Sequence, residues 1–183
     1  GLGTIQPSQA DYFQSVKGGG HGDYKLYVLA PASVQEMADF VEDAFDIAFK
    51  YRAPVLILSD GLIGQMMEKV ILKDQTPRLT DAELIEKYGD WAVTGKKGRE
   101  RNIITSLDLQ SEKMEARVHR LQKKYAQMEK EDLRFEKINC EDAEYLLVAY
   151  GSSARISQKA VELARAKGIK VGLLRPITLF PFP

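Results

Sequence analysis

With 183 residues the chain is long enough to bury a sizeable core, and 26 Lys plus Arg against 26 Asp plus Glu leave a formal charge of zero, which excludes the overall basic footprint of a nucleic-acid binder. The single cysteine, Cys140, can neither close an internal disulfide nor hold an iron–sulfur cluster, which takes about four thiolates, and suits a reducing compartment. No apolar run approaches the roughly 18–20 residues of a membrane span and no signal peptide is visible, so a cytoplasmic protein with no membrane or nucleic-acid partner is expected.

The chain opens on "GLGT" without an initiator Met and closes on the Pro-rich "RPITLFPFP". The expectation is a piece of a longer polypeptide. "SQADYFQSVK" (8–17) has Ser8 as a candidate N-cap and Tyr12 and Val16 at helical spacing, which predicts a short helix. A glycine loop, "GGGHGDYK" (18–25), leads into the strand "KLYVLA" (25–30). Ser33, with Glu36 three residues on, forms a capping box. Behind it Met37, Phe40, Val41, Ala44, Phe45, Ala48 and Phe49 repeat every three or four residues, an amphipathic helix of about five turns. Pro54 ends that stretch, and "PVLILSDG" is apolar without alternation, as in strands covered on both faces. Residues 25–59 therefore read as a right-handed βαβ unit. "IGQMMEKV" is a candidate start of another helix.

Residues 74–105 mix Pro, Gly and charge, with "TDAE" as the cap of one short helix. In "LDLQSEKMEARVHRLQKKYAQMEKE" the residues Leu107, Met114, Val118, Leu121, Tyr125 and Met128 form one narrow apolar stripe on a charged helix. Such a stripe serves either a coiled-coil arm or a linker helix packed on its own domain. A second βαβ start follows. "YLLVAYGSS" reads as a buried strand, "ARISQKAVELARAKG" as a helix closed by Gly168, and "IKVGLLRP" as the next strand. Two strands do not make a stable sheet by themselves. The fold class is α/β, divided into residues 1–73, a connector with a long charged helix over 74–140, and a second α/β unit over 141–183.

The glycine loop fails as a Walker loop and as a dinucleotide fingerprint, because it precedes a strand where both motifs need a helix. His21 and Asp23 supply two metal ligands where three or four are needed. An irregular turn, or a loop that meets substrate or a partner, remains. Asp60 and Gly61 end a strand at the edge where α/β folds place ligands. Asp60 there either caps the next helix or contacts a ligand. Ser152 and Ser153 are N-cap candidates that with backbone N–H groups also suit an anion. Trp91 and the five methionines read as packing. No nucleophile–base pair emerges.

Taken in order, "QADYFQ…GGHGD", "LAPASVQEM", "PVLILSDG" and "RPITLFPFP" resemble the alpha subunit of 2-oxoacid:ferredoxin oxidoreductases. The wording "GLGTIQPSQADYF" with "KGGGHGDY" is most similar to the branched-chain, 2-oxoisovalerate type, with the 2-oxoglutarate and pyruvate types as alternatives. The resemblance implies a pyrimidine-binding parallel-sheet domain of thiamine-diphosphate enzymes, a linker helix, and the start of a transketolase C-terminal-like domain. It implies oxidative decarboxylation of a 2-oxoacid with coenzyme A and reduction of ferredoxin. Thiamine pyrophosphate with Mg²⁺ would be shared with a partner subunit, and iron–sulfur clusters would sit in other subunits only. The partners implied are beta, gamma and ferredoxin-like delta subunits.

The family's cofactor-activating glutamate, its Tyr-Pro-x-Thr-Pro loop and its Arg-Gly-Gly-Pro arginine have no counterpart in these residues, and Glu36 is the capping-box residue. The isolated chain is therefore expected to be inactive, an assembly module by itself. No catalytic residue and no metal ligand is expected in it. Thr4, in the family's Gly-Leu-x-Thr run, His21 and Asp23 in its Gly-His-Gly-acid loop, and Asp60 and Gly61 at its strand end are the implied pocket or subunit-contact residues.

Overall fold

The computed structural model describes residues 10–20, 23–74 and 76–183. The chain divides into a larger unit, Gly1–Ile71 with Val118–Pro183, and a smaller one, Leu72–Arg117.

In the larger unit, helix α1 (Ala10–Lys17) precedes strand β1 (Tyr27–Leu29), helix α2 (Val34–Tyr51), strand β2 (Val55–Ile57) and the short helix α3 (Gly61–Gln65). The N-cap expected at Ser8 lies outside the described residues. β1 and β2 are parallel, with Tyr27 opposite Val55 and Leu29 opposite Ile57, so the first βαβ unit forms as its pattern predicts. Ser33 accepts a hydrogen bond from the Glu36 N–H at 3.1 Å and starts α2. Arg52, in the left-handed region at φ 48°, ends it by donating its N–H to the Ala48 carbonyl.

The expected apolar face of α2 is too wide. Phe40, Ile47 and Tyr51 are buried, with Ala44 packed beside them, whereas Val41 and Phe45 are exposed, Phe45 to 65%. Positions 40, 44, 47 and 51 follow the 3.6-residue period, while 41 and 45 lie about 100° round the helix.

In the smaller unit, Thr80 and Glu83 form a reciprocal capping box at the start of helix α4 (Asp81–Tyr88). Tyr88 and Trp91 meet edge to face, with ring centroids 5.8 Å apart. Helix α5 (Ser111–Glu131) begins in this unit and ends in the larger one. Its stripe is used at the carboxyl end. Tyr125 and Met128 are buried with Tyr27, Leu29, Phe40, Ile47 and Tyr51, and the Tyr125 hydroxyl accepts the Lys25 N–H at 2.8 Å. Met114 is 42% exposed, and Leu107 precedes the helix. The helix packs on its own chain. Its end is pinned where the Tyr27 hydroxyl donates to the Asp132 carbonyl at 2.7 Å and the Tyr51 hydroxyl bonds the Asp132 carboxylate. Burial, reinforced by that bond, pushes the Tyr51 phenol up to about 12.

Beyond α5 come β3 (Phe135–Ile138), β4 (Tyr145–Val148), helix α6 (Gly151–Arg165), β5 (Val171–Pro176) and β6 (Thr178–Phe180). The described residues form two three-stranded sheets, ordered β2-β1-β6 and β3-β5-β4. β6 runs antiparallel to β1, so the first sheet is mixed where an all-parallel one was expected. The second sheet gains β3, antiparallel to β5, from residues read as connector. "FEKI" alternates with charge over only four residues, and "TLF" lies between Pro176 and Pro181, so neither gives a strong strand pattern. The continuous apolar run predicts a buried β4, yet all four residues are exposed, from 37% at Leu147 to 63% at Tyr145, because among the described residues β4 is an edge strand with β5 as its one neighbour. β1, between two strands, is fully buried.

No described helix is long and apolar enough to cross a membrane.

Met128→Ala should destabilise the chain by about 2–5 kcal/mol in urea denaturation, the cost of emptying a buried methionine site. Met114→Ala should stay within about 0.5 kcal/mol. Equal effects would mean that the stripe is not buried at its carboxyl end.

Candidate functional site

Three strand ends face the same region. β1 runs out through Ala30–Ser33, β2 through Ser59–Asp60, and β4 through Ala149–Tyr150. Each leads into a helix amino terminus, at α2, α3 and α6 respectively. First-turn N–H groups there have no intrahelical partner and attract negative charge. A carboxylate of the protein itself reaches each of them.

Asp60 serves two helices. Its Oδ1 accepts the Ile63 N–H at 2.9 Å, capping α3, and its Oδ2 accepts the Ser152 N–H of α6 at 2.7 Å. Ser152 and Ser153, expected as caps, instead lie within the first turn of α6. The N-cap residue there is Tyr150, which makes no side-chain cap bond. Gly151 makes the approach possible. It has φ +60°, and a Cβ on it would stand 2.7 Å from Asp60 Oδ2. Desolvation pushes the Asp60 carboxyl up, but the backbone bonds from Ile63 and Ser152 outweigh it and hold the group below the usual carboxylate range.

Glu68 accepts the Val34 N–H at the start of α2, at 3.0 Å, and pairs through Oε1 with Arg155 Nη1 at 2.7 Å. The Val34 bond and the Arg155 pairing hold its carboxyl low. Glu36 does not close the expected capping box. Its Oε2 turns to the Ala32 N–H at 2.7 Å and to Arg175 Nη2 at 2.5 Å. Arg175 is buried and bonds Glu136 through Nη1 at 2.8 Å. Each of these acids is engaged by cations or backbone N–H groups. They are therefore placed to hold helices and strands together, not to exchange protons with a substrate.

The expected site residues do not converge. Thr4 and His21 lie outside the described residues. Asp23 is exposed and precedes β1, at the opposite end of the parallel pair from Asp60 and Gly61. Between α1 and Asp23, Gly18 and Gly20 take φ +98° and +144°, and the Gly19 N–H donates to the Tyr24 hydroxyl at 2.8 Å, an irregular glycine-dependent turn. Glu68, Arg155 and Arg175 were not singled out from the sequence. Their partners lie 34 to 139 residues away, so no local pattern marks them.

Residues 3–137 match the family model described as pyruvate flavodoxin/ferredoxin oxidoreductase, thiamine diphosphate-binding. Residues 143–183 match that of pyruvate:ferredoxin oxidoreductase core domain II. The chain belongs to this 2-oxoacid:ferredoxin oxidoreductase family. It is 51% identical over its whole length to ketoisovalerate oxidoreductase subunit VorB of Methanothermobacter marburgensis, covering 50% of that protein. It is 37% identical over its whole length to 2-oxoglutarate synthase subunit KorA of Methanocaldococcus jannaschii, covering 55% of it. The chain thus spans about half the length of these curated relatives. The 2-oxoglutarate:ferredoxin oxidoreductase of Magnetococcus marinus shares the fold, with a TM-score of 0.73 at 23% identity over 96% of this chain and 34% of that one. In these family terms, Asp60 and Glu68 belong to the thiamine diphosphate-binding segment, and their partners Ser152 and Arg155 belong to core domain II.

Asp60→Asn retains one acceptor for two N–H groups and should cost about 1–3 kcal/mol at pH 7. Because folding lowers the Asp60 pKa, its contribution is present above the unfolded value of about 4 and is lost as pH falls below that. The gap between wild type and Asp60→Asn in urea denaturation should therefore narrow from pH 6 to pH 3. A gap independent of pH would contradict this role.

Proposed function

We propose that this chain is part of the thiamine diphosphate-binding subunit of a branched-chain 2-oxoacid:ferredoxin oxidoreductase. The observation that supports it is the 51% identity across all of the chain to a ketoisovalerate oxidoreductase subunit, against 37% to a 2-oxoglutarate synthase subunit. The reaction is oxidative decarboxylation. The 2-oxoacid loses carbon dioxide, its acyl carbon joins the sulfur of coenzyme A, and the two electrons and one proton released go to two ferredoxins and to solvent.

Thiamine diphosphate supplies the carbanion chemistry when bound. Among the described residues no three His, Cys, Asp or Glu side chains converge as metal ligands, and Glu36, Asp60 and Glu68 are all engaged internally. This donor set does not fit a magnesium diphosphate or a cofactor-activating acid. In our reading a partner subunit holds the diphosphate and its Mg²⁺, and other subunits hold the iron–sulfur clusters. Beta, gamma and ferredoxin-like delta subunits assemble with this one in the cytoplasm. We read Thr4, His21, Asp23, Asp60 and Gly61 as substrate-pocket or subunit-contact residues, with Asp23 and the Asp60–Gly61 pair at opposite ends of the parallel strands and Asp60 acting through the two helix starts it holds.

The test is to co-express the full-length subunit with its partner subunits and follow coenzyme A-dependent viologen reduction. Turnover with 2-oxoisovalerate should exceed that with 2-oxoglutarate or pyruvate at least roughly tenfold in kcat/KM, the scale on which an apolar pocket discriminates. A preference for 2-oxoglutarate or pyruvate would overturn the substrate assignment. No reduction with any 2-oxoacid would overturn the activity.

A further inference from the structure

The second sheet and its helix are joined to the rest of the larger unit in an unusual way. Residues 135–176, comprising β3, β4, α6 and β5, bury Ala154, Val161 and Leu173. Two short stretches of chain connect them to the remainder. One is Asp132–Arg134, between α5 and β3, and the other is Ile177, between β5 and β6. The two lie side by side. The Arg134 carbonyl accepts the N–H groups of Ile177 and Thr178, both at 3.0 Å, and the Arg134 N–H donates to Thr178 Oγ1 at 3.1 Å. Both connections thus cross at one place, the geometry of a hinge.

Away from this crossing, the polar contacts across the seam share one sense. Carboxylates come from the β1–β2 side, where Glu36 reaches Arg175, Asp60 reaches the Ser152 N–H and Glu68 reaches Arg155. Positive partners come from residues 135–176. Arg155 also donates to the Ala32 carbonyl at 3.4 Å, and Tyr150 stacks on Tyr12 with ring centroids 6.0 Å apart. A seam held by a few directed polar contacts around one crossing, with Tyr150 packed on the Val16, Val28, Ala30 and Leu179 cluster as its apolar contact, is the kind of boundary that opens below the free energy of global unfolding.

We propose that residues 135–176 form a lobe that turns about the Arg134–Thr178 crossing, and that Glu36, Asp60 and Glu68 are the latch that holds it closed. Opening uncovers the carboxyl ends of β1 and β2, the edge at which α/β sheets take ligands. Asp60 and its neighbours are then positioning residues whose effect is on which arrangement the chain populates. The inference rests on the seam alone and is independent of the substrate assignment.

Amide hydrogen exchange on the full chain tests it, comparing wild type with Asp60→Asn and, separately, Gly151→Ala, whose Cβ would displace Asp60 from the other side. Losing the charge-assisted bond should raise exchange in residues 145–165 at least roughly tenfold. In wild type and variants alike, these amides should exchange at lower free energy and with a smaller urea dependence than amides of β1 and of the buried face of α2, which open only with global unfolding. If one variant fails to fold, the other carries the test. Wild type in 1 M sodium chloride, where the Debye length is about 3 Å, should show the same pattern more weakly. Equal exchange free energy and equal urea dependence in both parts would show one cooperative unit and overturn the lobe. Unchanged exchange in residues 145–165 would overturn the latch.

Discussion

The arrangement depends on one carboxylate serving two helix amino termini. Asp60 closes the short helix that follows its own strand and, with its other oxygen, the helix that follows a strand 85 residues further on. The geometry constrains the sequence on both sides. Asp60 must stay ionised to accept both bonds, and residue 151 must lack a Cβ so that the carboxylate can approach. At φ +60° that position favours glycine for a second reason. A strand end that reads as a ligand-facing position is thereby turned inward. Its charge is spent on the fold, which argues against giving it a chemical role in catalysis.

The rest of the larger unit shows the same long-range economy. The first sheet takes a strand from the other end of the chain, with β6 returning to β1, and the second takes β3, the strand that directly follows the long helix, beside β5. The long charged helix packs through its second half, where Tyr125 and Met128 are buried and Leu121 packs beside them. Its end is fixed by tyrosine hydroxyls from β1 and α2 meeting Asp132. Helix propensity explains little of this, because a surface so charged gains its stability from the few residues it buries.

What was legible in the sequence was what repeats locally. The first βαβ unit, the Ser33 cap, the Thr80 cap and the long helix follow from periodicity and capping chemistry within a few residues. The family, too, follows from short motifs in a fixed order. What was not legible was what depends on distant partners. The strands β3 and β6 are short and lack a run of β-branched residues, so only their pairing makes them strands. β4 reads as buried because its apolar residues are continuous, yet among the described residues only β5 lies beside it. Glu36 is half legible. Its backbone does what the capping box predicts, while its side chain leaves the box for Arg175, 139 residues away. Local rules placed Asp60 correctly as a cap, but only for the nearer of its two helices.

The central claim, that Asp60 and Gly151 act as one contact, is tested most directly by a double-mutant cycle. Asp60→Asn, Gly151→Ala and the double variant are compared in urea denaturation at pH 7. Since either change breaks the same bond to Ser152, the double variant should cost less than the sum of the two by at least about 1 kcal/mol. Additivity to within about 0.5 kcal/mol would show that the two residues act separately and would contradict the account.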